Sequence, residues 1–223
     1  MLFRSVADYT AGSLTITATE SSTSADAISA NNASTLHLTL GNGTNAISAT
    51  AAGASISITT GTGVNAIAIG AGTTGSITFG AHAATAADVV SLGASGTSVT
   101  ALETISGLNN AGLDTITFAD AASVLAGGVQ NITEAQVLAA GGDPTQLASW
   151  IAAATGADVA AGAPTMTAHG INWFTFHNTT YLVETAGVDT GALTASDTVV
   201  ELTGTNYTFA KATATGGVFH LLG

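Results

Sequence analysis

Apolar side chains recur at every second position in short runs over the first half of the chain, and the residues between them are small and polar. Ser13-Leu-Thr-Ile-Thr-Ala-Thr19 alternates cleanly and predicts a first strand. Alternation at period two sends Ile47, or Ile67 and Ile69, to one face, and Ser48 or Ala68 to the other. Gly75-Ser-Ile-Thr-Phe-Gly80, Asp88-Val-Val-Ser-Leu-Gly93 and Asp114-Thr-Ile-Thr-Phe-Ala119 add further short strands.

A repeat paces these runs. At an offset of 20 residues Gly41 falls on Gly61, Gly43 on Gly63, Asn45 on Asn65, Ala46 on Ala66 and Ile47 on Ile67, which is 5 identities in 7 positions. A fixed period of about twenty residues carrying short strands is the pattern of a stacked β-coil. One such coil buries too little alone and must stack on its neighbours. Glycines at alternate turn positions supply backbone angles that other residues reach only at a cost. Asp26-Ala-Ile-Ser-Ala has the shape of the Asn45 and Asn65 units without their glycines. From Asn65 to Asp88 and from Asp88 to Asp114 the spacing stretches to 23 and 26 residues, so the later coils are swollen. The expected fold is mostly all-β, a parallel β-roll or β-solenoid over residues 1–120 that is regular in its middle.

Residues 121–165 change character and form a helical cap or linker. Thr133-Glu-Ala-Gln136 is a capping-box pattern, and Gly141-Gly142 is a natural stop. Asp143-Pro144 offers an N-cap and a first-turn proline. Leu147, Trp150, Ile151 and Ala154 then share one helical face, closed by Gly156. Two short helices that cap an open solenoid end, or cover a sheet edge, are expected. Residues 166–223 hold most of the aromatics and predict a compact β-rich module. In it Ile171–His177 and Thr180–Glu184 flank an Asn178-Thr179 turn, and Asp197–Leu202 and Gly217–Gly223 add two strands.

Charge narrows the partners. Acidic residues number 14 against two basic ones, Arg4 and Lys211, for a net charge of −12. Nucleic acid is excluded, because counterion release needs clustered Lys and Arg. Anionic membrane surfaces are excluded on the same ground. Without a run of eighteen apolar residues, membrane insertion is not expected. No cysteine is present, which removes thiol catalysis and cysteine-type zinc sites and fits export without disulfides. Met1-Leu-Phe-Arg4 runs into Ser-Val-Ala-Asp, so no secretory signal core is expected there.

The units Gly41-x-Gly43-x-Asn45-x-Ile47 and Gly61-x-Gly63-x-Asn65-x-Ile67 resemble the RTX calcium-binding β-roll, whose repeat is G-G-x-G-x-D-x-U-x. The C-terminal third, from His169-Gly-Ile-Asn-Trp-Phe-Thr-Phe to Asp197-Thr-Val-Val-Glu-Leu-Thr-Gly204, is similar to the end of type I secreted bacterial surface proteins of the S-layer kind. The resemblance implies an uncleaved C-terminal export signal handled by type I secretion machinery. It also implies Ca²⁺ held between coils by turn carbonyls and carboxylates. Two departures stand out: Asn occupies positions 45 and 65 where the family has Asp, and Leu40 or Thr60 replaces the first glycine. Weaker affinity, or turns that are purely structural, follows from the lower ligand charge.

The candidate Ca²⁺ residues are thus Asn45, Asn65, Asp26, Asp88 and Asp114, with Gly41, Gly43, Gly61 and Gly63 supplying turn carbonyls. The alternative for each Asn is an amide stacked down the solenoid or one suited to a tight turn. For each Asp it is a turn-stabilising bond to its own backbone. His37, His82, His169, His177 and His220 lack metal-ligand spacing, and most are expected to be ordinary strand or loop residues. Trp150 and Trp173 fit either a sugar-stacking site or aromatic core packing. No G-x-S-x-G elbow or phosphate loop is present, and acids scattered singly along a solenoid are not expected to converge as a glycosidase pair would. The expected function is non-enzymatic: an extracellular structural protein of the bacterial cell surface that self-associates into a lattice or filament. The alternatives are the export and folding module of a larger RTX enzyme and an adhesin for a cell-surface glycan.

Overall fold

In the computed structural model of the protein, the described residues are 4–6, 10–18, 25–83, 86–95, 102–109, 113–119, 130–160, 170–186, 192–204, 207, 209, 213–215 and 218–221. The chain runs through β1 (Arg4–Val6), β2 (Thr10–Ala18), β3 (Asp26–Ser29), β4 (Asn32–Leu40), β5 (Asn45–Ala49), β6 (Ser55–Thr59), β7 (Asn65–Ile69) and β8 (Thr74–Thr78). It continues through β9 (Val89–Leu92), β10 (Glu103–Ser106), β11 (Thr115–Phe118) and β12 (Gln130–Asn131) to α1 (Glu134–Ala139) and α2 (Leu147–Ala160). Five more strands close it: β13 (Ile171–Phe176), β14 (Thr179–Glu184), β15 (Thr198–Thr203), β16 (Thr213–Thr215) and β17 (Val218–His220).

Odd and even strands of the first half fall into different sheets. One sheet runs β1-β3-β5-β7-β9-β11-β17-β16, the other β2-β4-β6-β8-β10-β15-β14-β13-β12. Pairing is parallel and in register from β1 to β11 and from β2 to β10, so the fold is a parallel β-solenoid. Asn45 lies beside Asn65 and Ile47 beside Ile67, as the offset of 20 requires. Gly61 stands directly over Gly41, its N–H donating to the Gly41 carbonyl at 3.1 Å. The core is a column of aliphatics stacked on like aliphatics: Leu36, Ile56 and Ile58 from one sheet, Ile47, Ile67, Val90 and Ile116 from the other, all buried.

The C-terminal strands extend both sheets. β15 adds to β10 in parallel, β14 and β13 follow antiparallel, and β17 pairs antiparallel with β11. Trp173-Phe174 in β13 and Tyr181-Leu182-Val183 in β14 are consecutive apolar residues because both faces of the sheet are buried there. Trp173, Leu182 and Val200 continue the solenoid core, where Trp173 meets Phe209 edge-on at 5.3 Å. Phe174, Tyr181, Val183 and Val199 form a second cluster with Val137, Ile151 and Ala154 of the helices. Both tryptophans are thus packed in aromatic clusters, Trp150 against Phe174 at 5.5 Å with its indole N–H donating to Pro144 O.

Three local expectations are corrected. The helices cover the face of β13 and β14, because that face carries the second row of aromatics. Asp143 is not the N-cap of α2; its carboxylate accepts from the Thr145 backbone N–H at 2.9 Å and hydroxyl at 2.7 Å, and the helix starts at Leu147 and runs through Gly156. The β13–β14 turn falls on His177 and Asn178, both at positive φ (48° and 63°), one residue earlier than expected. The capping box on Thr133 and Gln136 is present. Residues 120–129 and 161–169, with His169, lie outside the described residues, as does Lys211.

Two predictions follow from the packing. A Cβ on Gly63 would overlap the backbone carbonyls of Asn42 and Gly43 in the adjacent coil, and backbone does not yield as a side chain does. Gly63→Ala should therefore lower stability by about 1–3 kcal/mol in chemical denaturation, and an unchanged midpoint would contradict the close stacking. Glu103 points into the core, 3% exposed, with neither carboxylate oxygen hydrogen-bonded. Burial pushes its pKa from the ordinary 4.5 to about 8. Between those values the folded chain holds a proton that the unfolded chain releases, so stability falls as pH rises, by at most about 1.4 kcal/mol per pH unit. Glu103→Gln should flatten that slope in denaturation curves measured from about pH 5 to pH 8.

Candidate functional site

One corner of the solenoid, at the N-terminal ends of β5, β7, β9 and β11, is lined by polar side chains in a single buried file. The register that stacks the aliphatic core also stacks whatever precedes each strand. Asn45, Asn65, Asp88 and Asp114 are each no more than 1% exposed. Asp26 opens the file: it pairs with Asn45 in the sheet and is half-buried.

The upper part is an amide ladder. Asn45 Nδ2 donates to Asn65 Oδ1 at 2.7 Å, and Asn65 Nδ2 donates to Asp88 Oδ1 at 3.0 Å. Each amide also serves its own turn: Asn45 Nδ2 donates to the carbonyls of Gly41 and Gly43 at 3.4 and 3.2 Å, and Asn65 Nδ2 to that of Gly63 at 2.7 Å. Three of the four carbonyls that the resemblance assigns to an ion, those of Gly41, Gly43 and Gly63, are thus engaged by amide N–H groups. On the outside of the same turns Asn42 Oδ1 accepts the Thr62 backbone N–H at 3.0 Å.

The lower part is a pair of carboxylates. Asp88 Oδ1 also accepts the Asn65 backbone N–H at 2.7 Å. Asp114 accepts the backbone N–H of Asp88 at 2.8 Å and that of Asn109 at 2.6 Å. Against them lies His82, its side chain fully enclosed, with Nε2 at 3.2 and 3.1 Å from the two Asp114 oxygens. Nδ1 sits 3.0 Å from the Gly80 carbonyl and 3.4 Å from Asp88 Oδ2. Asp88 Oδ2 has no hydrogen-bond partner. Burial raises the Asp88 pKa, aided by Asp114 and opposed by the Asn65 bonds and His82. Burial acts to lower that of His82, but the Gly80 carbonyl and the two carboxylates outweigh it and leave it raised.

Every candidate Ca²⁺ residue therefore falls on this corner: Asn45, Asn65, Asp88 and Asp114 form the buried file, Asp26 stands at its open end, and the four glycines form the turns beneath it. His82 was not among the candidate ligands. The signal that could have found it is the length of the β8–β9 connection, where the spacing grows to 23 residues and the extra chain carries a histidine just before Asp88. Of the other histidines, His37 is exposed on β4 and His177 is exposed in the hairpin turn.

Asn65 holds the two halves together, and replacing its amide by a carboxylate tests the arrangement. Asn65→Asp loses the N–H groups that serve Gly63 and Asp88, and it sets a third acid beside two. In chelator at neutral pH it should be destabilised by about 2–6 kcal/mol, since a buried group left without its partner costs about 1–3 kcal/mol and two are affected. Denaturation of Asn65→Asp with and without Ca²⁺ checks this, and full rescue by Ca²⁺ would show that the turn carbonyls can turn to an ion. No protein-family model matches the chain, and no curated protein matches it either.

Proposed function

We propose that this chain is a non-enzymatic structural protein of the bacterial cell surface that works by packing against copies of itself. The observation that carries the reading is the smoothness of the solenoid's two outer faces. On the first sheet the outward positions are Ala27, Ser29, Ala46, Ser48, Ala66, Ala68, Val89 and Ser91, nearly all of them Ala or Ser. On the second, one outward file is all hydroxyls, Thr17-Thr39-Thr59-Thr78-Ser106-Thr203, and the next, Thr15-His37-Ser57-Ser76-Thr104-Glu201, is short except at His37 and Glu201. Files of short side chains let one rod lie close against another, as stacked sheets do at a spacing of about 10 Å.

The charge supports the same reading. A rod carrying −12 repels its neighbours until divalent ions screen it, and external Ca²⁺ is such an ion. The S-layer resemblance of the C-terminal third supports surface location and export by a type I system. Among the described residues no helix is long and apolar enough to cross a membrane.

Negative-stain electron microscopy with and without Ca²⁺ tests the proposal. Ordered sheets or filaments are expected in Ca²⁺, and Ala46→Lys with Ala66→Lys, both on the exposed face, should disperse them while leaving the circular dichroism spectrum unchanged. Dispersed monomers under all conditions would overturn the reading.

A further inference from the structure

We propose that His82, Asp88 and Asp114 form a binding site for a divalent transition-metal ion of the zinc class. The inference is independent of surface assembly, and its chemistry differs from that of calcium at glycine turns.

The argument starts from proton positions. The Gly80 carbonyl can only accept, so Nδ1 of His82, 3.0 Å away, carries a hydrogen and donates it. Nε2 then faces both oxygens of Asp114 at 3.1 and 3.2 Å. A bare Nε2 would set its lone pair against carboxylate lone pairs, so a cation must lie between them, either a proton or a metal ion. A proton satisfies this contact and makes an imidazolium whose Nδ1 stands 3.4 Å from Asp88 Oδ2, an ion pair too long for a strong hydrogen bond. It leaves Asp88 Oδ2, on a residue 0% exposed, without a hydrogen-bond partner, and it leaves two buried carboxylates sharing one positive charge. A divalent ion answers both needs.

The donor set fits such an ion. One ligand atom from each residue lies within 4.8 Å of the others. Donors about 2.0 Å from a tetrahedral ion stand about 3.3 Å apart, which the Nε2–Asp114 contacts at 3.1 and 3.2 Å match, while Asp88 Oδ2 has to close in from its place within 4.8 Å. An Nδ1–H held by a backbone carbonyl is the usual support of a histidine ligand, fixing the tautomer that leaves Nε2 free. Asp114 is likewise oriented by the backbone N–H groups of Asp88 and Asn109. Calcium suits the set poorly, because it prefers six to eight oxygen ligands and imidazole favours zinc, cobalt and nickel. Asp88 and Asp114 come from successive coils and His82 from the loop between β8 and β9, so the ion would clamp the two swollen coils at their shared corner.

Isothermal titration of the chelator-treated full chain with Zn²⁺ should give one site per chain, with a rise in melting temperature. Co²⁺ should give the visible bands of a nitrogen- and oxygen-ligated ion of low coordination number. His82→Ala and Asp88→Asn should each weaken binding by about 10- to 100-fold or more, whereas His37→Ala should not. Because alanine leaves a hole beside two carboxylates, His82→Gln serves as the second variant. Long-range proton–nitrogen NMR of the wild type needs no variant: Zn²⁺ should shift Nε2 of one buried imidazole whose Nδ1 stays protonated. No heat and no spectral change with the wild type would overturn the site and leave an imidazolium ion pair in its place. Undiminished binding by His82→Ala with His82→Gln, or displacement of Zn²⁺ by equimolar Ca²⁺, would overturn it equally. Each of these readouts is taken on dispersed protein, so none of these failures touches the assembly proposal.

Discussion

In-register parallel pairing is the constraint from which the rest of this molecule follows. Each coil satisfies its backbone only by lying directly on the next, so a residue's neighbours above and below are fixed by its position in the repeat. Apolar positions then gain a continuous column of like side chains. Polar positions in the corner have no such freedom: once buried, each must find its partner in the coil above or below, because water is excluded. The Asn45–Asn65 bond at 2.7 Å is the outcome of that necessity.

The same constraint explains how much was legible from the residues. The glycine and asparagine spacing disclosed the solenoid and the stacking of Gly41 under Gly61, because the repeat acts through backbone geometry that sequence records directly. Asp26, Asp88 and Asp114 could be placed in the same file by their position before a strand, even where the coils swell. His82 could not. It lies in the additional chain between β8 and β9, where no period applies, and only the closure of that loop onto the corner brings it to Asp114. Gly156 and the His177–Asn178 turn failed for a related reason. A packed helix tolerates one glycine, and the hairpin turn is set by the pairing of Phe176 with Thr179 rather than by the residue types at its tip.

The C-terminal strands meet a problem that the solenoid creates. A parallel stack ends in a strand with unpaired N–H and C=O groups, which invites further pairing. Here β15 and β17 take up those groups on β10 and β11, and the switch to antiparallel pairing at β17 and at β14 breaks the repeat. Trp173, Tyr207, Phe209 and Phe219 fill the end of the core where aliphatic stacking stops, and Tyr207 ties its hydroxyl to Leu108 O at 3.1 Å. The terminal part is therefore continuous with both sheets and not a body set beside them.

The change from asparagine to aspartate down the corner has a chemical consequence. An amide carries donor and acceptor together, so asparagines stack one on another without limit, each giving an N–H to the next oxygen. A carboxylate is acceptor only. Asp88 can end the amide ladder by accepting from Asn65, but Asp114 beside it brings a second set of lone pairs and no proton. Backbone N–H groups cover part of that excess, and what they leave uncovered is Asp88 Oδ2 and the side of Asp114 that faces His82. The coil that follows Asn65 with Asp88 is also the coil that lengthens, and its added residues carry the imidazole to that spot. Ladder chemistry, loop length and the placement of His82 thus form one arrangement, in which a cationic centre takes over at the point where amides can no longer stack.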